Sequence, residues 1–368
     1  MAKFVNKTPA LTFDDVLVVP SYSTILPSQA NVSTQLTRSC SLNIPLLSSA
    51  MDTVTESRMA AAMANSGGIG IIHKNMKIQD QACAVRATKY TPISSTTAVL
   101  DDDGRLVCGA AIGTGDDSMD RAVALIEAGV NVLVIDTAHG HSIGVGRMVE
   151  MVKKQWPRVQ VVAGNICTGD ATDFLIGCGA DAVKVGVGPG TICSTRTVAG
   201  VGVPQFTAIV DCANVAAGHG IPVIADGGIR TSGDIVKALA AGASSVMIGS
   251  LFAGSDEAPG DIVTNGGRKL KTYRGMGSVE AMQLGSKDRY GQAEVSDSKK
   301  LVAEGVSGFV ECTGPVDAII DQLVGGIRSG MGYTGSNTIQ DLWESLFIRI
   351  TPAGIVESRV HDVITTKD

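Results

Sequence analysis

The stretch PVIADGGIRTSGDIVKALAAGASSVMIGS, residues 222–250, sets two near-continuously apolar runs, 222–228 and 245–250, at either end of a segment that closes in Ala241-Gly242. Runs without polar alternation are what strands buried on both faces require. Glycine is the residue that accepts the left-handed conformation after a helix. The stretch therefore reads as strand, helix, strand. Working outward, similar runs occur at 44–51 (IPLLSSAM), 67–73 (GGIGIIH), 107–113 (VCGAAIG), 130–138 (VNVLVIDTA), 159–166 (VQVVAGNI) and 182–188 (AVKVGVG), making eight candidate parallel strands. Between them Met119, Ala122, Val123 and Ile126, and again Phe206, Ile209, Val210 and Ala213, keep helical spacing. Ala128-Gly129 and Gly218-His219-Gly220 supply further stop signals. Eight strands alternating with helices predict an α/β fold, a (β/α)8 TIM barrel. Periodicity alone also fits an open doubly wound sheet.

Two of the intervals between strands are long. One holds 91–105 (TPISSTTAVLDDDGR), which reads as a short polar linker, and the other holds the loop 188–202 (GPGTICSTRTVAGVG). After the eighth strand, 255–312 is rich in glycine and charge with little apolar periodicity, and it reads as a long, partly mobile flap. Val316 to Ile327 reads as a final helix, and 346–356 (LFIRITPAGIV) as a tail strand or extended segment. A single catalytic barrel is expected over 1–368.

With 368 residues, 44% hydrophobic and 18% charged, the chain has ample material for a large core. Glycine, 44 residues, is well above the usual level of roughly 7%, so tight turns are expected. The net charge of −6 without a long basic run argues against nucleic acid as the main partner. No stretch of about 18 apolar residues or signal core is visible, which predicts a soluble, cytoplasmic protein without a membrane partner. The eight cysteines form no CxxC pair and do not cluster with the histidines, so a zinc site is not expected.

In such a barrel, reactive groups come from the C-terminal ends of the strands, and phosphate is often held after strands seven and eight. Asp226-Gly227-Gly228 and Gly249-Ser250 stand there, with bare backbone N–H groups suited to a phosphate and Asp226 suited to ribose hydroxyls. The sixth loop, GVGPGTICSTR, leaves Cys193 on an irregular segment beside Thr195 and three residues from Arg196, a cation that would favour a thiolate. A reactive nucleophile and a buried loop cysteine are both open on these residues alone. Ser49, Asp136-Thr137-Ala138-His139 and Asn165 end other strands on the same rim. Lys287, Asp288, Arg289 and Tyr290 form a dense polar group in the flap, which is a solvated face unless tertiary closure brings it to the site.

Taken together, LTFDDVLVVP, SSAMDTVTE, GGIGIIHKNM, DTAHGHS, GPGTICSTR, IADGGIR, MIGS, YRGMGS, GSKDRY and ITPAGIVESRVHDV closely resemble the IMP dehydrogenase family over nearly the whole chain. The resemblance implies NAD⁺-dependent oxidation of IMP to xanthosine monophosphate, toward guanine nucleotides. It implies that Cys193 adds to C2 of the purine, that hydride leaves to nicotinamide, and that a covalent thioimidate remains. Water activated by Arg289 and Tyr290 of the closing flap, helped by Thr195, then hydrolyses it. By position the resemblance assigns the IMP site to Ser49, Met51, Asp226, Gly228, Gly249, Ser250, Tyr273, Gly275, Met276, Gly277 and Glu304. NAD⁺ falls to Asp136, Thr137, Ala138, His139 and Asn165. A monovalent cation, typically K⁺, falls to main-chain carbonyls of Gly188, Gly190 and Cys193, with Glu357, Ser358 and Arg359 supplied by a neighbouring subunit. A site shared between subunits implies an oligomer, in this family a homotetramer.

Members commonly carry a paired regulatory module of the cystathionine-β-synthase type between the second helix and third strand, and here only the polar linker stands there. Nucleotide regulation through such a module is therefore not expected. Gly291 follows the Arg-Tyr pair where an aromatic is common, and Arg359 stands where a histidine is frequent in bacterial members. The alternative is GMP reductase, an NADPH-dependent relative with the same barrel and cysteine, from which the GSKDRY flap separates this chain. A flavin-dependent barrel oxidoreductase would use the same phosphate loops but leave Cys193 unexplained. A nucleotide-binding barrel without turnover is disfavoured because every expected reactive position is present.

Overall fold

A computed structural model describes residues 8–361 apart from Ser296. Eight parallel strands close into a barrel: β1 (Leu46–Ser48), β2 (Ile69–Ile72), β3 (Gly109–Ile112), β4 (Val132–Asp136), β5 (Gln160–Ile166), β6 (Ala182–Val185), β7 (Val223–Asp226) and β8 (Ser245–Ile248). The helices between them are α1 (Ser57–Asn65), α2 (Ile78–Lys89), α3 (Ser118–Glu127), α4 (Ile143–Gln155), α5 (Gly169–Gly177), α6 (Gln205–Ala217) and α7 (Ser232–Ala240), and α8 (Val316–Thr334) follows β8 after a long excursion. The eight expected strands are these eight, in order, and β8 pairs with β1, so the open-sheet alternative falls.

Both faces of each strand are buried, but into different clusters. Leu133 and Ile135 of β4 join Val161, Val183 and Val223 beneath the helices. Val132 and Val134 join Leu47, Ile69, Val162, Ala182, Ile224 and Met247 in the lumen. Each fully buried Val, Leu or Ile contributes roughly 1.5–3 kcal/mol, and this double burial explains why the strand runs show no alternation. Because side chains alternate with a period of two, the parity of the lumen set continues past the strand ends. Ser49 follows Leu47, Asp136 follows Val134, Lys184 follows Ala182, Asp226 follows Ile224, and Gly249 follows Met247. The topmost inward position of five strands is thus a site position.

Residues 91–105 close the gap between α2 and β3 as a small folded turn. Leu100 and Leu106 form an antiparallel bridge. The Asp101 carboxylate accepts from the N–H groups of Asp103 and Arg105 and from Lys89 Nζ at 2.6 Å. The 255–312 segment holds more regular structure than its composition suggests. It builds an antiparallel sheet of β9 (Ile262–Asn265), β10 (Arg268–Arg274) and β11 (Ser307–Glu311), a short helix Val279–Leu284 and a 3-10 turn Ser286–Tyr290. Its signal was weak because β9 is exposed along its length and β11 is exposed or only half-buried, so neither requires an apolar run. The tail divides into a strand, Phe347–Arg349, paired with Val16–Val18, and a helix, Pro352–Glu357. No helix among the described residues is long and apolar enough to cross a membrane.

Candidate active site

A cleft opens at the C-terminal mouth of the barrel. Its lining brings together Ser49, Met51, Asp136, Asn165, Gly190, Cys193, Asp226, Tyr273, Gly275, Met276, Gly277, Arg289, Tyr290 and Glu304, all named from sequence. Gly249 adjoins it: a Cβ there would lie 2.8 Å from the Tyr273 hydroxyl and 3.2 Å from Met51 Sδ, so only glycine leaves this corner open. Ser250 lies beside it, its hydroxyl 3.4 Å from Thr191. Gly228 stands behind Pro189 with a positive φ of 80°.

Cys193 is half-buried, with Sγ 3.3 Å from Thr195 Oγ1. Its loop is held from two sides. The Cys193 N–H donates to the Gly190 carbonyl, while Ser194 N–H donates to Glu304 O and Val306 N–H to Ile192 O. The segment 255–312 therefore clamps the cysteine loop through backbone pairing. Arg196 does something other than expected: its Nε and Nη2 donate to the carbonyls of Val187 and Val203 and staple the two ends of the loop. Burial pulls its pKa down.

Across the mouth runs a chain of buried charges. Lys184, 1% exposed, donates to Asp136 Oδ1 at 3.0 Å, to Asp226 Oδ2 at 2.6 Å and to Asn165 Oδ1. Asn165 Nδ2 in turn donates to Asp226 Oδ2 and to the Gly186 carbonyl. A buried lysine persists where its charge is paired and hydrogen-bonded, and here two carboxylates do both. The other Asp136 oxygen forms an ion pair with Nη1 of Arg289. Arg289 Nε is buried without a hydrogen-bond partner among the described residues. Burial pushes the phenols of Tyr273 and Tyr290 up, so both stay protonated donors near neutral pH.

The remaining sequence-named positions lie at or beyond the edge. Thr137 is buried, and its N–H and hydroxyl both donate to the Gly164 carbonyl. Ala138 N–H donates to the Arg289 carbonyl. His139 is exposed, its ring 6.4 Å from that of His141. Gly188 and Gly190 shape the cysteine loop, whereas Glu357, Ser358 and Arg359 lie on the exposed tail, whose helix packs against Phe13–Asp15. Sequence reasoning missed Lys184. Its signal was a lone charge inside the apolar run AVKVGVG. It also missed Lys74, and Asp52, which holds Arg274 of β10 through both carboxylate oxygens.

The family description "IMP dehydrogenase / GMP reductase domain" matches residues 10–361. This chain belongs to that family. The resemblance stated on the motifs is thereby supported over nearly the whole chain, and with it the assignment as a nicotinamide-dependent oxidoreductase of the IMP dehydrogenase type. The chain is 49% identical to inosine-5'-monophosphate dehydrogenase of Cryptosporidium parvum, covering 99% of this chain and 98% of the relative. It is 46% identical to the enzyme of that name from Borreliella burgdorferi, covering 97% and 98%. With the Bacillus subtilis enzyme the identity is 43%, covering 97% and 96%, but the alignment spans 474 positions. Against 368 residues, that leaves more than a hundred positions of the Bacillus relative facing a gap. This family member therefore lacks the inserted regulatory module.

Proposed function

We propose that this chain is an NAD⁺-dependent IMP dehydrogenase that makes xanthosine monophosphate in guanine nucleotide synthesis. The observation that carries the reading is the placement of Cys193 Sγ in the same cleft as Asp226, the open Gly249 corner and the flap residues Arg289 and Tyr290. The bare backbone around Gly228, Gly249 and Ser250 receives the phosphate, and Asp226, held by Lys184 and Asn165, receives the ribose hydroxyls. That pinning sets C2 of the purine over the sulfur.

The thiolate of Cys193 adds to C2, and hydride leaves C2 for the bound cofactor, so the purine is oxidised and a thioimidate remains. NAD⁺, when bound, supplies the hydride acceptor. Asp136 and Asn165 would hold it at the strand ends, with Thr137, Ala138 and His139 on the adjoining loop. Asp136 already carries Arg289, so flap and nicotinamide claim the same place and must take turns. With the flap in, water attacks C2, the C–S bond breaks, and Cys193 recovers its electron pair. Arg289, whose Nε has no hydrogen-bond partner among the described residues, activates it together with the Tyr290 hydroxyl and Thr195. Water is excluded in the first half and admitted in the second.

For the monovalent cation, the carbonyls of Gly188 and Cys193 accept no hydrogen bond among the described residues, and Gly190 O accepts one, from Cys193. Hard oxygen donors of this kind fit K⁺. The exposed Val356 and Val360 flank Glu357–Arg359, which suits a tail that docks on a neighbouring subunit to complete its cation site in a cytoplasmic homotetramer. The test is NADH formation from IMP and NAD⁺ with K⁺ present, beside GMP with NADPH. Turnover in the first supports the reading. Ammonia release with NADPH oxidation in the second alone assigns the chain to the reductase instead.

A further inference from the structure

The 3-10 turn Ser286–Tyr290 is held to the barrel by more than Arg289. Lys74, on the rim loop after β2, directs Nζ at both carboxylate oxygens of Asp288, at 2.5 and 2.7 Å. Only 9% of the lysine side chain and 24% of the aspartate side chain is exposed. The same Asp288 Oδ1 accepts the N–H of Arg289 at 2.8 Å. One carboxylate thus joins the barrel rim to the backbone of the residue that enters the cleft. Ala138 N–H, donating to the Arg289 carbonyl at 3.1 Å, holds the peptide on the other side of the same residue. Gly113, just past β3, leaves room for the pair: a Cβ there would lie 2.6 Å from Asp288 Oδ2 and 3.3 Å from Lys74 Cε.

Neither Lys74 nor Asp288 lines the cleft that holds Cys193. Their pair therefore bears on flap position without touching the reacting atoms. A largely desolvated, two-oxygen ion pair is worth more than an exposed one. Because the flap and the nicotinamide claim Asp136 in turn, whatever loosens one strengthens the other by the same factor.

We propose that Lys74 is a positioning residue for the hydrolytic half of the reaction: its ion pair with Asp288 latches the flap onto the rim and sets how completely Arg289 and Tyr290 occupy the place the nicotinamide vacates. The proposal rests on the dehydrogenase reading. Hydride transfer, which needs the flap out, does not use the latch. Hydrolysis does.

The experiment is stopped-flow and steady-state NADH formation from IMP and NAD⁺ with the wild type, Lys74→Ala, Lys74→Arg, Asp288→Ala and the Lys74→Ala/Asp288→Ala double variant. For Lys74→Ala the burst keeps its amplitude and stays within about twofold of the wild-type rate, while kcat falls roughly tenfold. Inhibition by excess NAD⁺ sets in at a concentration lower by the same factor. Lys74→Arg recovers most of the loss, and the double variant is no worse than either single one. Burst and kcat falling together, NAD⁺ inhibition that does not move, or additive losses in the double variant would overturn the latch while leaving the dehydrogenase reading intact. A wild type that forms no NADH from IMP overturns that reading, and the latch with it.

Discussion

Arg289 of the flap is ion-paired with Asp136 at the end of β4, and the second oxygen of that same carboxylate takes Lys184 Nζ at 3.0 Å. One aspartate is shared between a residue of the barrel and a residue of the segment 255–312. Lys184 holds the carboxylate aimed inward from the barrel side. In the proposed reaction the same anion serves two visitors in succession, Arg289 and the nicotinamide, and that sharing is what would make the two half-reactions mutually exclusive.

Replacing Arg289 by alanine removes one visitor only. Hydride transfer should proceed near the wild-type rate, and hydrolysis should slow by two to four orders of magnitude, the usual range for losing a proton-transfer group at roughly 10²–10⁴. Stopped-flow absorbance should show an NADH burst followed by almost no steady-state turnover. Equal loss of both phases would remove Arg289 from the hydrolytic role.

Cys193→Ala should abolish NADH formation while IMP still binds, because the proposed phosphate and ribose contacts lie on β7, β8 and the loops after them and not on the sulfur. Calorimetric titration of the variant with IMP checks the second half of the statement. NADH production by the variant would show that hydride transfer needs no sulfur adduct.

Lys184→Met carries the largest expected cost in stability. The substitution keeps the volume but leaves Asp136 and Asp226, 8% and 17% exposed in their side chains, facing one another without the cation between them. Breaking a buried pair from one side costs about 3–5 kcal/mol. Denaturant unfolding should report that loss. The triple variant, with Asp136→Asn and Asp226→Asn added to Lys184→Met, should regain part of it, since it removes the carboxylate charges left without Lys184.

How much of this was legible beforehand follows from burial. The eight barrel strands are buried on both faces, so their runs stand out in the sequence, and the helices between them carry clear stops. The exposed strands β9 and β11 leave no such mark, and the segment 255–312 therefore looked irregular. Strand-end polarity pointed to the cleft, and family motifs supplied individual residues such as Tyr273 and Glu304. The parity of Val132, Val134 and Asp136 would also have pointed inward at Lys184 through Ala182. That signal was present but hidden, because a lysine in a strand is ordinarily placed on a solvated face. The Lys74–Asp288 pair had no local signature at all, since its partners are 214 residues apart and meet only in the folded chain.

The cysteines should separate sharply in reactivity. Burial pushes the thiols of Cys108 and Cys212 up to about 12, and that of Cys40 up to about 11. At about pH 8 a thiol with a pKa near 12 has a thiolate fraction roughly four orders of magnitude below full ionisation. Limited alkylation followed by peptide mass analysis should mark the half-buried Cys193 and the exposed Cys83 and spare Cys108 and Cys212. Bound IMP should protect Cys193 and leave Cys83 unchanged. Because the raised groups gain thiolate as pH rises, labelling of Cys108 should increase steadily through pH 10, and an early plateau would contradict its burial.

Monovalent cations should act on the cysteine loop and not on the barrel. The carbonyls of Gly188 and Cys193 are without donors among the described residues, and they lie within the turn that aims Sγ. A K⁺-sized ion gathering them would fix that turn, whereas Li⁺ is too small to be reached by carbonyls held apart by the backbone. K⁺ should therefore raise kcat severalfold over Li⁺ at equal ionic strength, with little change in the unfolding midpoint. Removing residues 357–368 should weaken the K⁺ response and, in the same preparation, shift sedimentation toward smaller species. Equal rates in K⁺ and Li⁺ would leave those carbonyls to water and end the cation assignment.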